Sequence, residues 1–170
     1  SKLMKISEKL AEENYDRYQK FFTDEIECKE ALLAFDGAVY KGIDSKTFNC
    51  EDLEYAQRNL RILSGLYGVI RPLDMIKEYR LEMGTKLKFK TYKSLYNYWE
   101  DKLTNFILKE IESSSGDKVL INIASNEYSK VLDLKEIGKK YKVINVDFKE
   151  KRGEEYKVVG TYAKKARGLL

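Results

Sequence analysis

The sequence has 170 residues, 43% of them hydrophobic, which is enough to bury the core of one domain without disulfides or a structural metal. It contains no histidine, and this excludes Ser-His-Asp catalysis, Cys-His catalysis and histidine-containing zinc sites within the chain. It has two cysteines without CxxC spacing, no export signal and no apolar run of roughly 18 residues, so we expect a cytoplasmic protein with no membrane segment, metal or cofactor.

The net charge of +4 is distributed unevenly along the chain. Residues 1–60 carry 9 basic and 13 acidic groups, residues 61–138 carry 13 and 11, and residues 139–170 carry 10 and 4. A C-terminal segment this basic can form a positive face if it folds onto the middle of the chain, which would favour phosphates or acidic ligands. A solvated lysine-rich surface is the alternative interpretation.

Apolar periodicity predicts helices in the first half of the chain. The segment from Leu3 to Tyr18 keeps near-helical spacing, which indicates an amphipathic helix. Residues 31–40, ALLAFDGAVY, indicate a helix end or a buried strand followed by a turn. Asp52 is suited to cap a further helix, whose apolar stripe continues until Gly65 ends it.

The second half of the chain combines one long helix with short strands. Residues 94–113 form the longest helical pattern, with apolar side chains at spacings of three and four. Three β-branched runs follow it, KVLINIAS, KVINVDF and EYKVVGTY. Strands interleaved with helices predict an α/β (mixed α+β) fold, in which a single domain of residues 1–170 holds a mixed sheet flanked by helices.

The first candidate site is LSGLYGVIRPLD, residues 63–74. Gly65 and Gly68 predict a hairpin between two helices. In a helix-hairpin-helix motif, backbone N–H groups of such a hairpin contact a DNA phosphate, and Arg71 or Arg61 would neutralise its charge. The glycines are separated by two residues rather than the usual one, so a glycine helix cap followed by a proline turn is the alternative.

The second candidate is EYRLEMG, residues 78–84. Arg80 and Glu82 alternate there with apolar side chains and would project from one face of an extended segment. Such a pair can orient a ligand, or its two members can form a salt bridge with each other.

The third candidate follows the strand in INIASNEYSK, residues 121–130. Ser125, Asn126 and Glu127 stand where this strand ends and a helix begins, a position at which free N–H groups bind anions in open α/β sheets. Ordinary helix capping explains the same residues.

The fourth candidate is the C-terminal segment TYAKKARGLL. Lys164, Lys165 and Arg167 occupy three of four consecutive positions, and no acidic residue lies beside them. They suggest a phosphate-binding helix start or a DNA-backbone contact, and a solvated helix face is the alternative.

Together these blocks resemble the YaaA family of bacterial peroxide-stress proteins, which shares AFDGAVYKG-like, LRILSGLYGVIRPLD-like, YRLEMGT-like, NIASNEY-like and YAKKARGL-like segments in this order. The resemblance implies a cytoplasmic protein that is induced by hydrogen peroxide, limits iron-linked oxidative damage and binds DNA. It also implies a mixed α/β fold with a helix-hairpin-helix-like element at Ser64–Val69. The implied positively charged cleft would draw on Arg71, Arg80, Lys164, Lys165 and Arg167.

Family members usually begin with a further strand and continue beyond the KKARGL block, so we expect the chain to be a fragment of a longer one. The leading hypothesis is non-specific DNA binding through backbone contacts at Ser64, Gly65, Gly68, Ser125, Asn126 and the cleft cations. The alternative is an enzyme acting on a nucleotide or phosphorylated small molecule, with Glu82 or Glu127 as its acid or base. A deep cleft would favour the enzyme, whereas an exposed basic surface would favour DNA.

Overall fold

A computed structural model describes residues 2–170, and eight α-helices lie within them. Side-chain caps satisfy free backbone N–H groups at several helix starts. Ser7 and Ser94 cap the first and the longest helix, each with its Oγ accepting a backbone N–H. The helices are α1 (Glu8–Gln19), α2 (Ala31–Ala34), α3 (Ala38–Ile43), α4 (Cys50–Asn59), α5 (Leu95–Ser113), α6 (Asn126–Ser129), α7 (Leu134–Gly138) and α8 (Gly160–Leu169), and a 3-10 turn covers Ser45–Thr47.

The strands pair in two-stranded ladders, three antiparallel and one parallel among residues 2–170. The antiparallel pairs are β1 (Cys28–Glu30) with β4 (Met75–Lys77), β2 (Ile62–Ser64) with β3 (Gly68–Ile70), and β7 (Glu150–Arg152) with β8 (Glu155–Lys157). The parallel pair is β5 (Val119–Asn122) with β6 (Lys142–Asn145), connected through α6 and α7. The mixed α/β fold class is confirmed, although the strands form separate ladders instead of the one mixed sheet that was predicted.

Buried side chains form three apolar clusters, and α5 contributes to two of them. Ile62 and Ile76 belong to the first cluster, beneath the β2–β3 hairpin and β4. Met83 and Leu103 centre the second, which joins α5 to the loop that follows β4. Ile137 of α7 belongs to the third, which packs α5 against α7 and the parallel strands. The helix predicted over residues 94–113 is thus confirmed, and it is the scaffold on which the remaining elements pack.

The structure corrects the helix that was predicted from Asp52 to Gly65. Asn49 is the N-cap of α4, and Asp52 completes a capping box by accepting the N–H of Asn49 at 3.0 Å. The helix ends at Asn59, and the next residues enter β2, where every second side chain is buried. Pairing with β3 prevails because Gly68 takes a φ of +82°, which closes a tight turn that few other residues tolerate.

The same correction applies to the helix-hairpin-helix element. Residues 65–67 connect two antiparallel strands, not two helices, so the segment 64–69 is part of a β-hairpin. No helix within residues 2–170 combines the length and the apolar composition needed to cross a bilayer.

Candidate functional site

The β2–β3 hairpin is packed into the protein. Ser64 is 1% exposed, and its Oγ accepts the N–H groups of Leu66 at 3.2 Å and Tyr67 at 2.9 Å. The carbonyl of Gly65 accepts the indole N–H of Trp99 at 3.0 Å. Ser64, Gly65 and Gly68 are all buried. Their observed role is packing, and phosphate contact at these three residues stays a prediction.

Arg80 and Glu82 form a salt bridge at 2.9 Å. Their side chains are 44% and 54% exposed, so the pair lies at the surface, where such an interaction contributes little to stability. The Arg80 carbonyl also accepts the hydroxyl of Tyr18 at 3.1 Å, which fixes the backbone of this segment against α1. The pairing leaves the guanidinium partly available to an anionic ligand.

Glu127 connects the start of α6 to the turn that follows Glu82. Its Oε1 accepts the backbone N–H of Gly84 at 2.9 Å, and its carbonyl accepts the hydroxyl of Tyr96 at 2.8 Å. Burial, together with the carboxylates of Glu127 and Glu82, raises the pKa of Tyr128 to about 12. The candidate acid-base residues Glu82 and Glu127 thus both act electrostatically on the Tyr128 hydroxyl.

Tyrosine hydroxyls are gathered beneath the hairpin. The hydroxyl of Tyr79 lies 2.5 Å from Ser64 Oγ, and the rings of Tyr67 and Tyr79 meet edge to face at 5.4 Å. Burial raises the pKa of Tyr79, and the hydroxyls of Tyr128 and Tyr67 add to this effect. Burial likewise raises the pKa of Tyr40 on α3, with smaller contributions from Tyr79 and Tyr128. These groups stay protonated at neutral pH, and the hydroxyl of Tyr79 is hydrogen-bonded to Ser64.

Arg71 is engaged by a carboxylate on α5. Its guanidinium contacts both carboxylate oxygens of Glu110, at 2.8 and 3.0 Å, and Arg61 donates from Nε to the same carboxylate at 2.7 Å. Burial acts to raise the pKa of Glu110, but the hydrogen bonds from the two arginines outweigh it and hold the pKa below its ordinary value. The arrangement ties the segment after β3 to α5.

The three C-terminal cations lie on α8, which packs against α3. Lys164 and Lys165 are exposed, and neither forms an ion pair with a carboxylate of residues 2–170. The Arg167 guanidinium lies 6.0 Å from the centre of the Phe148 ring, and its Nε is buried without a hydrogen-bond partner among the described residues. α8 therefore displays two free cations and anchors a third.

The structure brings some of the predicted site residues together. Ser64 and Gly65 lie against the segment that carries Arg80 and Glu82, since the hydroxyl of Ser64 meets Tyr79 and a Cβ at Gly65 would strike the carbonyl of Leu81. Ser125 and Asn126 join this group through Glu127, because they are the N-cap and first residue of α6. The other predicted residues lie elsewhere. Arg71 contacts Glu110 of α5, and Gly68 packs against Trp99 and Leu103 of the same helix. Lys164, Lys165 and Arg167 lie on α8.

The sequence pattern did not indicate Glu110 or the tyrosines Tyr79 and Tyr128 as candidate site residues. Glu110 is separated from Arg61 by 49 residues and from Arg71 by 39, so no local spacing indicated the ion pairs. Tyr79 and Tyr128 stood beside residues that were singled out, but an aromatic residue next to a charged one gives no signal of its burial. A run of unpaired lysines at residues 86–93 was also missed, and its signal was available as a stretch without acidic residues.

Two cavities on the described surface are open to solvent. One, of about 260 Å³, is lined by residues of α8 and of the segment 147–150, including Asp147, Lys149 and Glu150. The other, of about 310 Å³, lies between α5 and the end of α7. Neither is lined by Arg80, Glu82, Asn126 or Lys165. Within residues 2–170 no three His, Cys, Asp or Glu side chains are grouped so that they could hold a metal ion.

These features define a mixed α/β domain with a cluster of partly buried tyrosines and a cationic C-terminal helix. The family model described as "Peroxide stress protein YaaA" matches residues 1–170, and the chain belongs to this family. The resemblance inferred from its sequence blocks is thereby confirmed.

Relatives of the chain occur in Francisella. A UPF0246 protein of Francisella philomiragia subsp. philomiragia is 48% identical to it over 172 aligned positions, as are UPF0246 proteins of Francisella tularensis subsp. novicida and subsp. tularensis. Each alignment covers 99% of this chain and 66% of the relative. The chain thus spans just under two thirds of the length of these curated relatives.

Proposed function

We propose that the protein acts in the peroxide-stress response in the cytoplasm by binding DNA non-specifically through its phosphate backbone, and that it thereby helps to limit iron-linked oxidative damage. The observation that carries the proposal is the surface of α8, where Lys164 and Lys165 are exposed and unpaired within residues 2–170. The segment 139–170 around them carries 10 basic and 4 acidic groups. Unpaired cations on a basic surface attract phosphates without reading the base sequence.

The start of α8 adds to this support. Its N-cap is Val159, which has no side-chain acceptor, and its first turn contains no acidic residue. The first backbone N–H groups of the helix, beginning at Gly160, are consequently not satisfied by a capping side chain. Together with the helix dipole, such groups favour a phosphate at this end of the helix.

Exposure of the predicted residues favours DNA over an enclosed substrate. Arg80, Glu82, Asn126 and Lys165 are all exposed. An enzyme for a small phosphorylated substrate normally buries most of that substrate in a cleft with a few polar groups aimed into it. A surface that keeps its cations in solvent suits a long, extended polyanion better.

Salt dependence of DNA binding tests the proposal. With about four to six phosphate contacts, raising the salt concentration from 50 to 200 mM should weaken binding roughly a hundred- to a thousandfold. Fluorescence anisotropy with duplex, bent and single-stranded DNA measures this directly. The double variant Lys164→Gln/Lys165→Gln should lower the slope of log affinity against log salt by about 2, because each lost contact removes about 0.9.

The control variant is Lys9→Gln/Lys46→Gln, which removes two exposed lysines from the acidic segment 1–60. It should leave the salt slope within about 0.5 of the wild type, since the lost cations make no phosphate contact. Binding that is absent, or that does not change with salt, would contradict the proposal.

The second candidate function is catalysis on a nucleotide or another phosphorylated small molecule. Two contacts favour it: Glu127 accepts the backbone N–H of Gly84, two residues from Glu82, and Arg80 forms a salt bridge with Glu82. One carboxylate would serve as acid or base, and Arg80 would stabilise negative charge. Phosphate release from a panel of nucleotides measures this activity, and it should be lost in Glu82→Gln and Glu127→Gln while DNA binding persists.

A further inference from the structure

A stretch free of acidic residues lies between the second candidate site and α5. From Met83 to Trp99 the chain has no Asp or Glu, and it carries four lysines within residues 86–93. We call Lys86, Lys88, Lys90 and Lys93 the lysine strip. All four side chains are exposed, and none forms an ion pair with a carboxylate of the residues that the structure describes. The strip thus concentrates uncompensated positive charge on one short segment.

Burial of the intervening side chains determines where the lysines point. Thr85 is buried, and Leu87 and Phe89 pack against the cluster of Met83, Leu95, Leu103 and Val131. Because exposed lysines alternate with inward-facing residues, the first three lysines are directed to the solvent side of the segment. A solvated loop without such anchors would leave its cations free to disperse, whereas here the core holds them on one side.

An aromatic group supports the end of the strip. Phe89 and Tyr92 exchange two backbone hydrogen bonds, at 2.9 and 3.2 Å, and thereby close a tight turn. The ring of Tyr98 lies 5.2 Å from that of Phe89 and 4.9 Å from that of Tyr92. Lys102 of α5 lies over the Tyr98 ring at 3.3 Å and places a fifth cation beside the strip. These contacts fix the turn to α5.

Lys90 occupies a backbone conformation that a lysine rarely adopts. Its φ is +50°, in the left-handed region where glycine and asparagine are favoured, and it stands at the tip of the Phe89–Tyr92 turn. A lysine at such a position costs stability relative to glycine, because its Cβ crowds the backbone. Glycine at this position would relieve the backbone strain and remove the charge at the same time.

We infer that the lysine strip is a second contact for the DNA phosphate backbone, separate in sequence from α8. The inference rests on the proposed function and extends it, because it names a surface that none of the sequence motifs indicated. Ammonium groups directed to one side of a fixed segment suit a series of phosphates, and the lack of neighbouring carboxylates leaves their charge uncompensated. The contact carries no base specificity, since lysine acts on phosphate as a point charge.

Neutralising the strip in the 170-residue chain tests this inference. The variant Lys86→Gln/Lys88→Gln/Lys90→Gln/Lys93→Gln should lower the salt slope for duplex DNA by roughly 3 to 4, at about 0.9 per contact. Wild type should therefore lose about a hundredfold more affinity than the variant between 50 and 200 mM salt. The matched control replaces four exposed lysines by glutamine, and these are Lys109 of α5, Lys135 of α7, Lys140 of the turn after α7, and Lys142 of β6.

Both quadruple variants reduce the net charge by the same amount, so a general charge effect would lower both slopes equally and overturn the inference. An unchanged slope in the strip variant would also overturn it, while the effect of Lys164→Gln/Lys165→Gln would still support the proposed function. If the wild type does not bind DNA at all, the proposed function fails together with the inference.

The single variant Lys90→Gly separates binding from folding. It removes one charge and also relieves the left-handed backbone strain. We expect a melting temperature equal to or above that of the wild type, together with a salt slope lower by about 0.9. A merely structural Lys90 would give no change in the slope, and that result would contradict its place in the strip.

Discussion

Glu127 accepts the backbone N–H of Gly84 through its Oε1 at 2.9 Å, and this contact joins two segments that are 43 residues apart. The hydroxyl of Tyr96 donates to the carbonyl of the same residue at 2.8 Å, so both the side chain and the backbone of Glu127 are held. The start of α6 is consequently fixed to the turn after Glu82 and to α5. Any ligand site at Ser125 or Asn126 depends on this junction for its shape.

Glu127→Ala should lower the free energy of unfolding by about 1–2 kcal/mol, because it removes a charged acceptor from a hydrogen bond. Glu127→Gln keeps an oxygen in the same place and should cost less than half as much. Urea unfolding of the two variants measures the difference. Equal losses would mean that the negative charge of Glu127, and neither the packing of its side chain nor a neutral hydrogen bond to Gly84, accounts for the effect.

The ion pairs of Glu110 predict how stability depends on acid. The hydrogen bonds from Arg61 and Arg71 lower the pKa of Glu110 in the folded protein below its ordinary value of 4.5. The unfolded state therefore takes up a proton first, and the stabilisation is complete above pH 4.5 and is lost as the pH falls through the native pKa. Glu110→Gln should cost about 2–3 kcal/mol at pH 7, because it leaves two arginines without their carboxylate.

The difference in the free energy of unfolding between wild type and Glu110→Gln should shrink as the pH falls below 4.5. Urea unfolding at several pH values measures it. Glu112→Gln is the matched control, since it changes an exposed carboxylate on the same helix that forms no ion pair with the described residues. If the difference in unfolding free energy between Glu110→Gln and Glu112→Gln stayed constant across pH, the lowered pKa of Glu110 would be contradicted.

The long helix α5 was predictable because its signals are local. Apolar side chains recur at three and four positions between its ends, and Ser94 supplies the cap that begins it. The fold class followed from the same kind of information, since strands alternate with helices along the chain. The family was also recognisable, because several segments occur in a fixed order.

The β2–β3 hairpin was not predictable from its pattern. Ile62 and Leu63 continue the helical spacing that precedes them, and they equally fit a strand whose alternate residues are buried. Their pairing with β3 and the contact between Ser64 and Tyr79 decide the outcome, and both depend on tertiary structure. Arg61 and Arg71 are also far in sequence from Glu110, their partner. Sequence spacing therefore could not distinguish an available cation from one that is paired with a carboxylate.

Buried tyrosines predict a loss of stability at high pH. Burial raises the pKa of Tyr40 and Tyr79, and raises that of Tyr128 to about 12, whereas in the unfolded chain they ionise near 10. Their stabilisation is present below pH 10 and is lost as the pH rises toward their native pKa values, by about 4 kcal/mol per pH unit for three hydroxyls. Tyr128→Phe should reduce this slope between pH 10 and 12 by about a third.

Guanidinium unfolding, monitored by tryptophan fluorescence, measures the alkaline slope. Tyr55→Phe is the control, because it removes a tyrosine hydroxyl from a side chain that is 66% exposed. A slope that is the same in the wild type and in Tyr128→Phe would show that Tyr128 ionises freely in the folded protein.

The docking of α8 on α3 depends on a close approach of two glycines. A Cβ at Gly168 would strike the carbonyl of Val39, and it would lie 2.7 Å from the Ile43 nitrogen and 2.8 Å from the Gly42 Cα. These are backbone atoms, so a side-chain rotation cannot relieve the clash. Gly168→Ala should therefore cost about 3 kcal/mol or more, or separate α8 from α3. Gly160→Ala in the same helix meets nothing within 4 Å and should be neutral or slightly stabilising. Thermal unfolding of both variants measures the contrast.

If α8 detaches, Lys164 and Lys165 lose their fixed position, so Gly168→Ala should also weaken DNA binding although it removes no charge. A Gly168→Ala variant with the melting temperature and the DNA affinity of the wild type would contradict the close packing of these helices.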